Sequence, residues 1–94
     1  MEAELLLRER WVLTEDSFAE IVIWRVPERV PGSKHDYKYR LALVVDDRCV
    51  LRYDNEVGKG DHKHVGDKQA AYEFKSLDQL VTDFRRDVDA MRFK

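Results

Sequence analysis

The sequence predicts an α+β domain in which an antiparallel β-meander of four or five strands packs against one C-terminal α-helix. Three observations lead to this prediction. Apolar and polar residues alternate through much of the first half, as in half-buried strands. Short turn-forming clusters separate these stretches. From Ser76 onward, apolar residues instead recur every three or four positions, which is the spacing of one helix face.

The strands are predicted in sequence order. They cover about residues 4–13, 18–26, 37–45, 49–54 and 71–74. In the first strand, Leu5 and Leu7 begin an apolar face, and Arg8 and Arg10 lie on the opposite face. Polar or proline-rich segments at residues 14–17 and 27–36 separate the first three strands. Asp46-Asp47-Arg48 is predicted to form a tight hairpin connection into the fourth strand.

The final element is predicted to be a helix over about residues 77–91. Ser76 followed by Gln79 matches a capping box, which satisfies unpaired N–H groups at a helix start. The apolar stripe consists of Leu77, Leu80, Val81, Phe84, Val88 and Met91. The opposite face is expected in solvent and carries Asp83, Arg86, Asp87 and Asp89. Since a meander needs one face covered, we expect this helix to cover it.

Length and composition indicate one domain over residues 1–94. The chain has 94 residues, of which 44% are hydrophobic and 38% charged, as expected for a folded protein with a solvated surface. One cysteine excludes an intrachain disulfide and favours a reducing compartment. Residues 1–13 match neither a signal peptide nor a membrane span. We therefore expect a cytoplasmic protein that does not associate with membranes.

The net charge excludes a strongly basic nucleic-acid-binding protein but is compatible with a local phosphate-binding site. The formal net charge is −2. Residues 34–75 nevertheless hold nine Lys and Arg against eight Asp and Glu, together with all three histidines. A small basic patch of this kind binds phosphates with strong salt dependence.

The segment from Tyr53 to His64 is the strongest candidate for a functional site and is expected to form a surface loop after a strand. His62 and His64 are one residue apart, so in extended backbone their rings point the same way with Cα atoms about 6.6 Å apart. Two histidines can act as base and acid in RNA cleavage. One takes the 2′-hydroxyl proton and the other protonates the departing 5′-oxygen, without a metal or another cofactor.

Other residues of this segment are candidates for supporting roles. Asp61 or Asp54 can orient one imidazole by accepting its other N–H. Cationic side chains and flexible glycines can contact phosphate oxygens. These phosphate- or RNA-binding candidates are Lys59, Lys63, Gly58, Gly60 and Arg52.

Two alternative interpretations of the segment remain open. The histidine pair can bind zinc or another divalent ion, with Asp54 or His35 completing the ligand set. The segment can also be a solvated turn whose histidines are ordinary exposed side chains. A separate basic stripe of strand residues has the same ambiguity between a binding surface and a solvated edge. It comprises Arg8, Arg10, Lys38 and Arg40.

Several of these motifs resemble the TumE family of small bacterial and archaeal proteins. The resemblance runs through Tyr39 to Asp46, Leu51 to Asn55 and Gly58 to His64, and its most specific part is Asp-Asn followed by Gly-Lys-Gly-Asp-His. It continues in the pattern Tyr72-x-Phe74-x-Ser76-x-x-x-Leu80-x-x-Asp83-Phe84-x-x-Asp87-Val88.

The resemblance implies the toxin of a two-gene toxin–antitoxin system whose antitoxin carries a helix-turn-helix domain. It supplies no catalytic residues, so the site candidates rest on the residues themselves. The leading hypothesis is a metal-independent endoribonuclease with an RNA substrate and a cognate antitoxin. The alternative is a non-catalytic module that binds protein or nucleic acid. A homodimer is compatible with both hypotheses.

Overall fold

Six antiparallel strands form one sheet in a computed structural model that describes residues 2–92. The strands are β1 (Glu4–Thr14), β2 (Ser17–Arg25), β3 (Tyr37–Val45), β4 (Arg48–Glu56), β5 (Gly60–Val65) and β6 (Lys68–Ala71), and the helix is α1 (Leu77–Arg92). Each strand pairs with the next one along the chain, so the spatial order is β1 to β6. This confirms the predicted α+β class. Residues 1, 93 and 94 of the predicted domain lie outside the described residues.

A short turn sets the register between β3 and β4. Asp46 and Asp47 connect β3 to β4 with φ angles of 51° and 64°, as a two-residue hairpin of the type I′ form requires. Asp tolerates this left-handed backbone better than most residues because its short side chain can bond locally. Val45 and Arg48 pair directly across this turn. The prediction of a tight hairpin here is confirmed.

The expectation of a surface loop after the fourth strand is wrong. β4 continues through Glu56, and only three residues separate it from β5, which begins at Gly60. Polar side chains fill β5, so an apolar–polar alternation could not reveal it, although its backbone pairs with both β4 and β6. The predicted fifth strand at 71–74 is displaced as well, because β6 ends at Ala71.

An irregularity in β1 changes which face Leu5 occupies. The register shifts between Leu5 and Leu7, so Leu5 pairs with Trp24 while Leu7 pairs with Ile23. A bulge of this kind adds one residue to a strand and reverses the facing of residues before it. Leu7 therefore packs on the core, whereas Leu5 is 42% exposed on the other side.

The core lies between one face of the sheet and α1. It is built from eleven buried side chains: Ala19, Ile21, Ile23, Tyr39, Leu41, Leu43, Leu51, Tyr53, Leu80, Phe84 and Val88. Ser76 is the N-cap of the helix, since its Oγ accepts a hydrogen bond from the N–H of Gln79 at 3.0 Å. The predicted helix packing is confirmed. Within residues 2–92 there is no helix with the length and apolar character needed to cross a membrane.

Two acidic helix residues make contacts within the protein, contrary to the expectation that they face solvent: Asp87 contacts the sheet, and Asp83 contacts Tyr72 just after β6. Asp87 accepts a hydrogen bond from the Tyr53 hydroxyl and contacts Lys63 Nζ at 2.6 Å. Asp83 accepts a hydrogen bond from Tyr72 at 2.6 Å. Burial raises the pKa of Asp83, but its hydrogen bonds and neighbouring cations outweigh burial and hold it below its usual value. A lowered pKa means that ionised Asp83 stabilises the fold. This stabilisation is fully present above the ordinary Asp pKa and is lost as the pH falls through the lowered pKa of Asp83.

Candidate active site on the open face of the sheet

The strand alternation divides the predicted site residues between the two faces of the sheet. The face covered by α1 is called the helix face, and the other the open face. His62 and His64 lie on the open face with Arg52 and Asp54, because Arg52 pairs with His64 and Asp54 pairs with His62. Asp61 alternates with them and lies on the helix face. Pairing across β4 and β5 thus brings together four of the nine candidates.

The four residues on the open face form a connected group, here called the His64 cluster: Arg52, Asp54, His62 and His64. Arg52 Nη2 lies 3.2 Å from His64 Nε2. Since a guanidinium only donates, His64 Nε2 accepts this bond with its lone pair. Arg52 Nε lies 3.1 Å from Asp54 Oδ2, an ion pair whose geometry does not make a hydrogen bond, so the guanidinium lies between the carboxylate and the ring. His64 therefore has an unprotonated Nε2 that is hydrogen-bonded to the Arg52 guanidinium.

Asp54 is placed to stabilise His64 after it accepts a proton. Asp54 Oδ1 lies 3.6 Å from His64 Nε2. Among the described residues, Asp54 Oδ1 and Arg52 Nε are the buried side-chain atoms without a hydrogen-bond partner. A buried acceptor without a donor is costly, and an imidazolium N–H would satisfy it after moving closer than the present 3.6 Å. Asp54 Oδ1 is thus the carboxylate oxygen nearest to His64 Nε2 in the cluster.

His62 supplies a second imidazole beside the first. The two ring centroids are 6.0 Å apart, and both histidines are partly buried on the same face. A general acid or base must come within about 2.6–3.2 Å of the oxygen it serves. Two rings at this separation can flank one phosphate, with one ring on the attacking oxygen and the other on the leaving oxygen.

Asp61 orients a different histidine from the ones expected. On the helix face, its carboxylate accepts hydrogen bonds from Ser33 Oγ at 2.6 Å and Tyr39 OH at 2.7 Å, and His35 Nε2 lies 2.7 Å away. His35 Nδ1 accepts the N–H of Tyr37 at 3.2 Å, so the ring proton is on Nε2 and is directed to Asp61. These contacts fasten the loop of residues 26–36 to β5.

Tyr39 stays protonated in this arrangement. Burial is the largest cause, and the hydrogen bond to Asp61 adds to it, so the pKa of Tyr39 lies well above its usual value. The contacts of Ser33, His35 and Tyr39 with Asp61 could not be predicted because these residues lie 22–28 positions from Asp61 in the chain. No local sequence pattern indicates a contact between residues so far apart in the chain.

The lysine candidates lie away from the His64 cluster. Lys63 is on the helix face, where it contacts Asp87 and lies over the Tyr53 ring. Lys59 is exposed in the β4–β5 turn and lies 3.5 Å from Glu56. Lys63 therefore connects the sheet to the helix, and Lys59 is an exposed surface charge paired within its own turn.

The glycines of the Gly-Lys-Gly turn determine the path of the backbone, and their contact with phosphate stays a prediction. The N–H of Gly58 donates to the carbonyl of Pro31 at 2.6 Å, and the N–H of Lys59 donates to that of Glu56 at 3.1 Å. Gly60 packs against Gly32, where a Cβ on Gly32 would lie 2.7 Å from the Gly60 nitrogen. A side chain cannot fit there, so the turn and the preceding loop approach as only glycines allow.

The basic stripe expected from the sequence extends across the open face toward the His64 cluster. Arg8 and Arg10 lie on β1, and Lys38 and Arg40 lie on β3, all of them exposed. Arg40 pairs directly with Asp54, so the stripe meets the cluster at that point. Within residues 2–92, no group of three or more His, Cys, Asp or Glu side chains is placed to hold a metal ion.

Comparison with known proteins identifies a family for this chain. The family model described as Toxin TumE matches residues 2–92. No curated protein and no solved structure matched the chain.

Proposed function

The chain belongs to the TumE toxin family, and we propose that it acts as a metal-independent endoribonuclease with His64 and His62 as its acid–base pair. The observation that supports this most is the His64 cluster. It holds an imidazole lone pair, a second imidazole, a guanidinium and an unsatisfied carboxylate oxygen on a face that the helix leaves uncovered.

The proposed reaction proceeds by attack of a 2′-hydroxyl on the adjacent phosphorus. His64 Nε2 takes the hydroxyl proton while the bond between O2′ and phosphorus forms. The bond between phosphorus and O5′ breaks, and His62, protonated beforehand, gives its proton to O5′. The products are a 2′,3′-cyclic phosphate and a free 5′-hydroxyl. Arg52 donates to the non-bridging oxygens, where negative charge increases in the transition state.

Asp54 has a supporting role in this proposal. When Arg52 turns from His64 to the phosphate, the protonated His64 can donate to Asp54 Oδ1, now 3.6 Å away. The hydrogen bond from Arg52 to His64 is then replaced by two charge-assisted hydrogen bonds, one from Arg52 to the phosphate and one from His64 to Asp54. Asp61, in contrast, is given a structural role, because its three partners are all on the helix face.

We expect purified protein to cleave single-stranded RNA equally well in the presence and absence of a metal chelator. The reason is that both proton transfers are assigned to side chains. Gel analysis of end-labelled RNA, with mapping of the product ends, measures both the cleavage and the cyclic phosphate. Activity that disappears with chelator and returns with zinc would support the metal alternative. Binding without cleavage under every metal condition would identify a non-catalytic binding module.

A toxin of this family has an antitoxin partner. We propose that this antitoxin carries a helix-turn-helix domain, is encoded next to the toxin in a bacterium or archaeon, and binds in the cytoplasm. We further propose that it covers the open face through an acidic segment that meets Arg8, Arg10, Lys38 and Arg40. Complementary charges would steer this association and make it sensitive to salt.

Charge reversal on the stripe should weaken capture of the antitoxin. In co-expression and pull-down with the neighbouring gene product, Arg8→Glu combined with Arg10→Glu should lower recovery and slow association. Lys75→Glu is the matched control, since Lys75 is an exposed lysine on the segment before the helix. Equal loss in the control would indicate a nonspecific charge effect. Undiminished capture by the double variant would place the interface elsewhere.

A further inference from the structure

We propose that a groove beside Trp24 on the open face holds an unpaired nucleobase of single-stranded RNA. The groove has a volume of about 260 Å³ and is lined by Val22, Trp24, Lys38, Arg40, Asp54 and Glu56, among others. It is called the Trp24 groove below. The inference rests on the proposed function, because it identifies the form of RNA that the same face would accept.

The side chains of the groove combine an aromatic wall with exposed cations. Trp24 is partly buried and pairs with Lys38 on β3 and Leu5 on β1. The shift in β1 that turns Leu5 to this face places an exposed leucine next to the indole. Lys38 and Arg40 are exposed on the next strand. Stacking on an aromatic ring beside backbone-contacting cations is the usual way in which proteins bind single-stranded nucleic acid.

The position of the groove relates it to the His64 cluster. Asp54 lines the groove and also lies 3.6 Å from His64 Nε2, so the two sites share one residue. Trp24 is on β2 and His62 on β5, three strand spacings apart, or roughly 14 Å across the sheet. A base in the groove therefore belongs to a nucleotide near the cleaved phosphate but not adjoining it.

This placement predicts discrimination between forms of RNA. In a duplex the bases are paired and stacked inside the helix, and proteins contact mainly phosphates and 2′-hydroxyls. Only an unpaired base can turn its face to the indole. Phosphate contacts alone would bind both forms, so the added stacking should favour single strands.

Tryptophan fluorescence can test the groove directly, since the chain has two tryptophans on opposite faces. Trp11 packs near Phe84, with ring centroids 6.1 Å apart. Trp11→Phe leaves Trp24 as the single reporter. Titration with 2′-O-methyl RNA, which cannot be cleaved through its 2′-oxygen, should quench this emission. A duplex of the same sequence and an abasic strand of the same length should quench it much less.

A second measurement avoids any change in the core. Anisotropy with labelled 2′-O-methyl RNA should show Trp24→Ala binding about 5–150-fold more weakly than the unaltered protein. Trp24→Phe should retain most of the affinity because it keeps an aromatic face. Equal affinity for Trp24→Ala and the unaltered protein, or equal quenching by duplex and single strand, would overturn the inference.

The same data separate this inference from the proposed function. If single strands quench Trp24 but no RNA is cleaved, the groove is supported and the ribonuclease is not. If RNA is cleaved and Trp24→Ala binds and cleaves normally, the ribonuclease is supported and the groove is rejected.

Discussion

Replacing His64 with alanine should lower the rate of RNA cleavage by about 10²–10⁴-fold while leaving the protein folded. The imidazole is the proposed base, and its removal leaves no group at that position to take the 2′-hydroxyl proton. We expect a loss of similar size for His62→Ala, because the departing oxygen would lose its proton donor. The double variant should lose little more than either single one, since the two act in one step.

Rates from single-turnover cleavage, with circular dichroism and thermal unfolding of each variant, would measure this effect. Gln69→Ala is the matched control, because Gln69 pairs with His64 on β6 and is exposed. In a bacterial host, inducible expression of the unaltered protein should arrest growth and that of His64→Ala should not. Full cleavage by folded His64→Ala would remove this residue from the mechanism.

Replacing Phe84 with alanine should lower the free energy of unfolding by about 3–5 kcal/mol. Phe84 is fully buried in the middle of the helix stripe. Its ring packs edge-on against Tyr53, with centroids 5.7 Å apart, and lies 6.1 Å from Trp11. Truncation would lose the apolar burial and leave a cavity between helix and sheet that rigid strands can fill only in part.

Urea unfolding followed by circular dichroism would give this difference. Thr82→Ala is the control, since Thr82 is exposed on the same helix and such a surface change usually shifts stability by less than about 0.5 kcal/mol. If Phe84→Ala lowers the free energy of unfolding no more than Thr82→Ala does, α1 does not pack on the sheet as described. A loss of this size is a large part of the stability of a small domain, so toxicity should fall as well.

Local chemistry explains which parts of the fold could be predicted. The hairpin at Asp46 and Asp47 and the helix start at Ser76 each depend on a few adjacent residues, and both were predicted. β5 was not, because its stability comes from pairing with β4 and β6 rather than from apolar alternation. Secondary structure that depends on neighbouring strands is not visible in a single stretch of sequence.

In the candidate site, too, only the features that depend on adjacent residues could be predicted. Extended backbone places residues i and i+2 on one face, so the joint facing of His62 and His64 could be predicted even though a loop was expected. In a strand, the same alternation places Asp61 and Lys63 on the face opposite to His62 and His64. A loop does not impose this alternation, so the division could not be predicted. The contact between His35 and Asp61 depends on how the loop of residues 26–36 folds back, which no local pattern records.

The consecutive order of the six strands also governs how quickly this toxin would become active after synthesis. Each strand pairs with the one made just before it, and every connection between strands except the loop of residues 26–36 is two or three residues long. Folding rates rise as contacting residues become closer in sequence, so the sheet should form rapidly once the chain is available. The helix, made after all six strands, then covers their apolar face. An antitoxin that acts on the folded protein would therefore need to be present in the cell already, because slow folding would not delay the toxin.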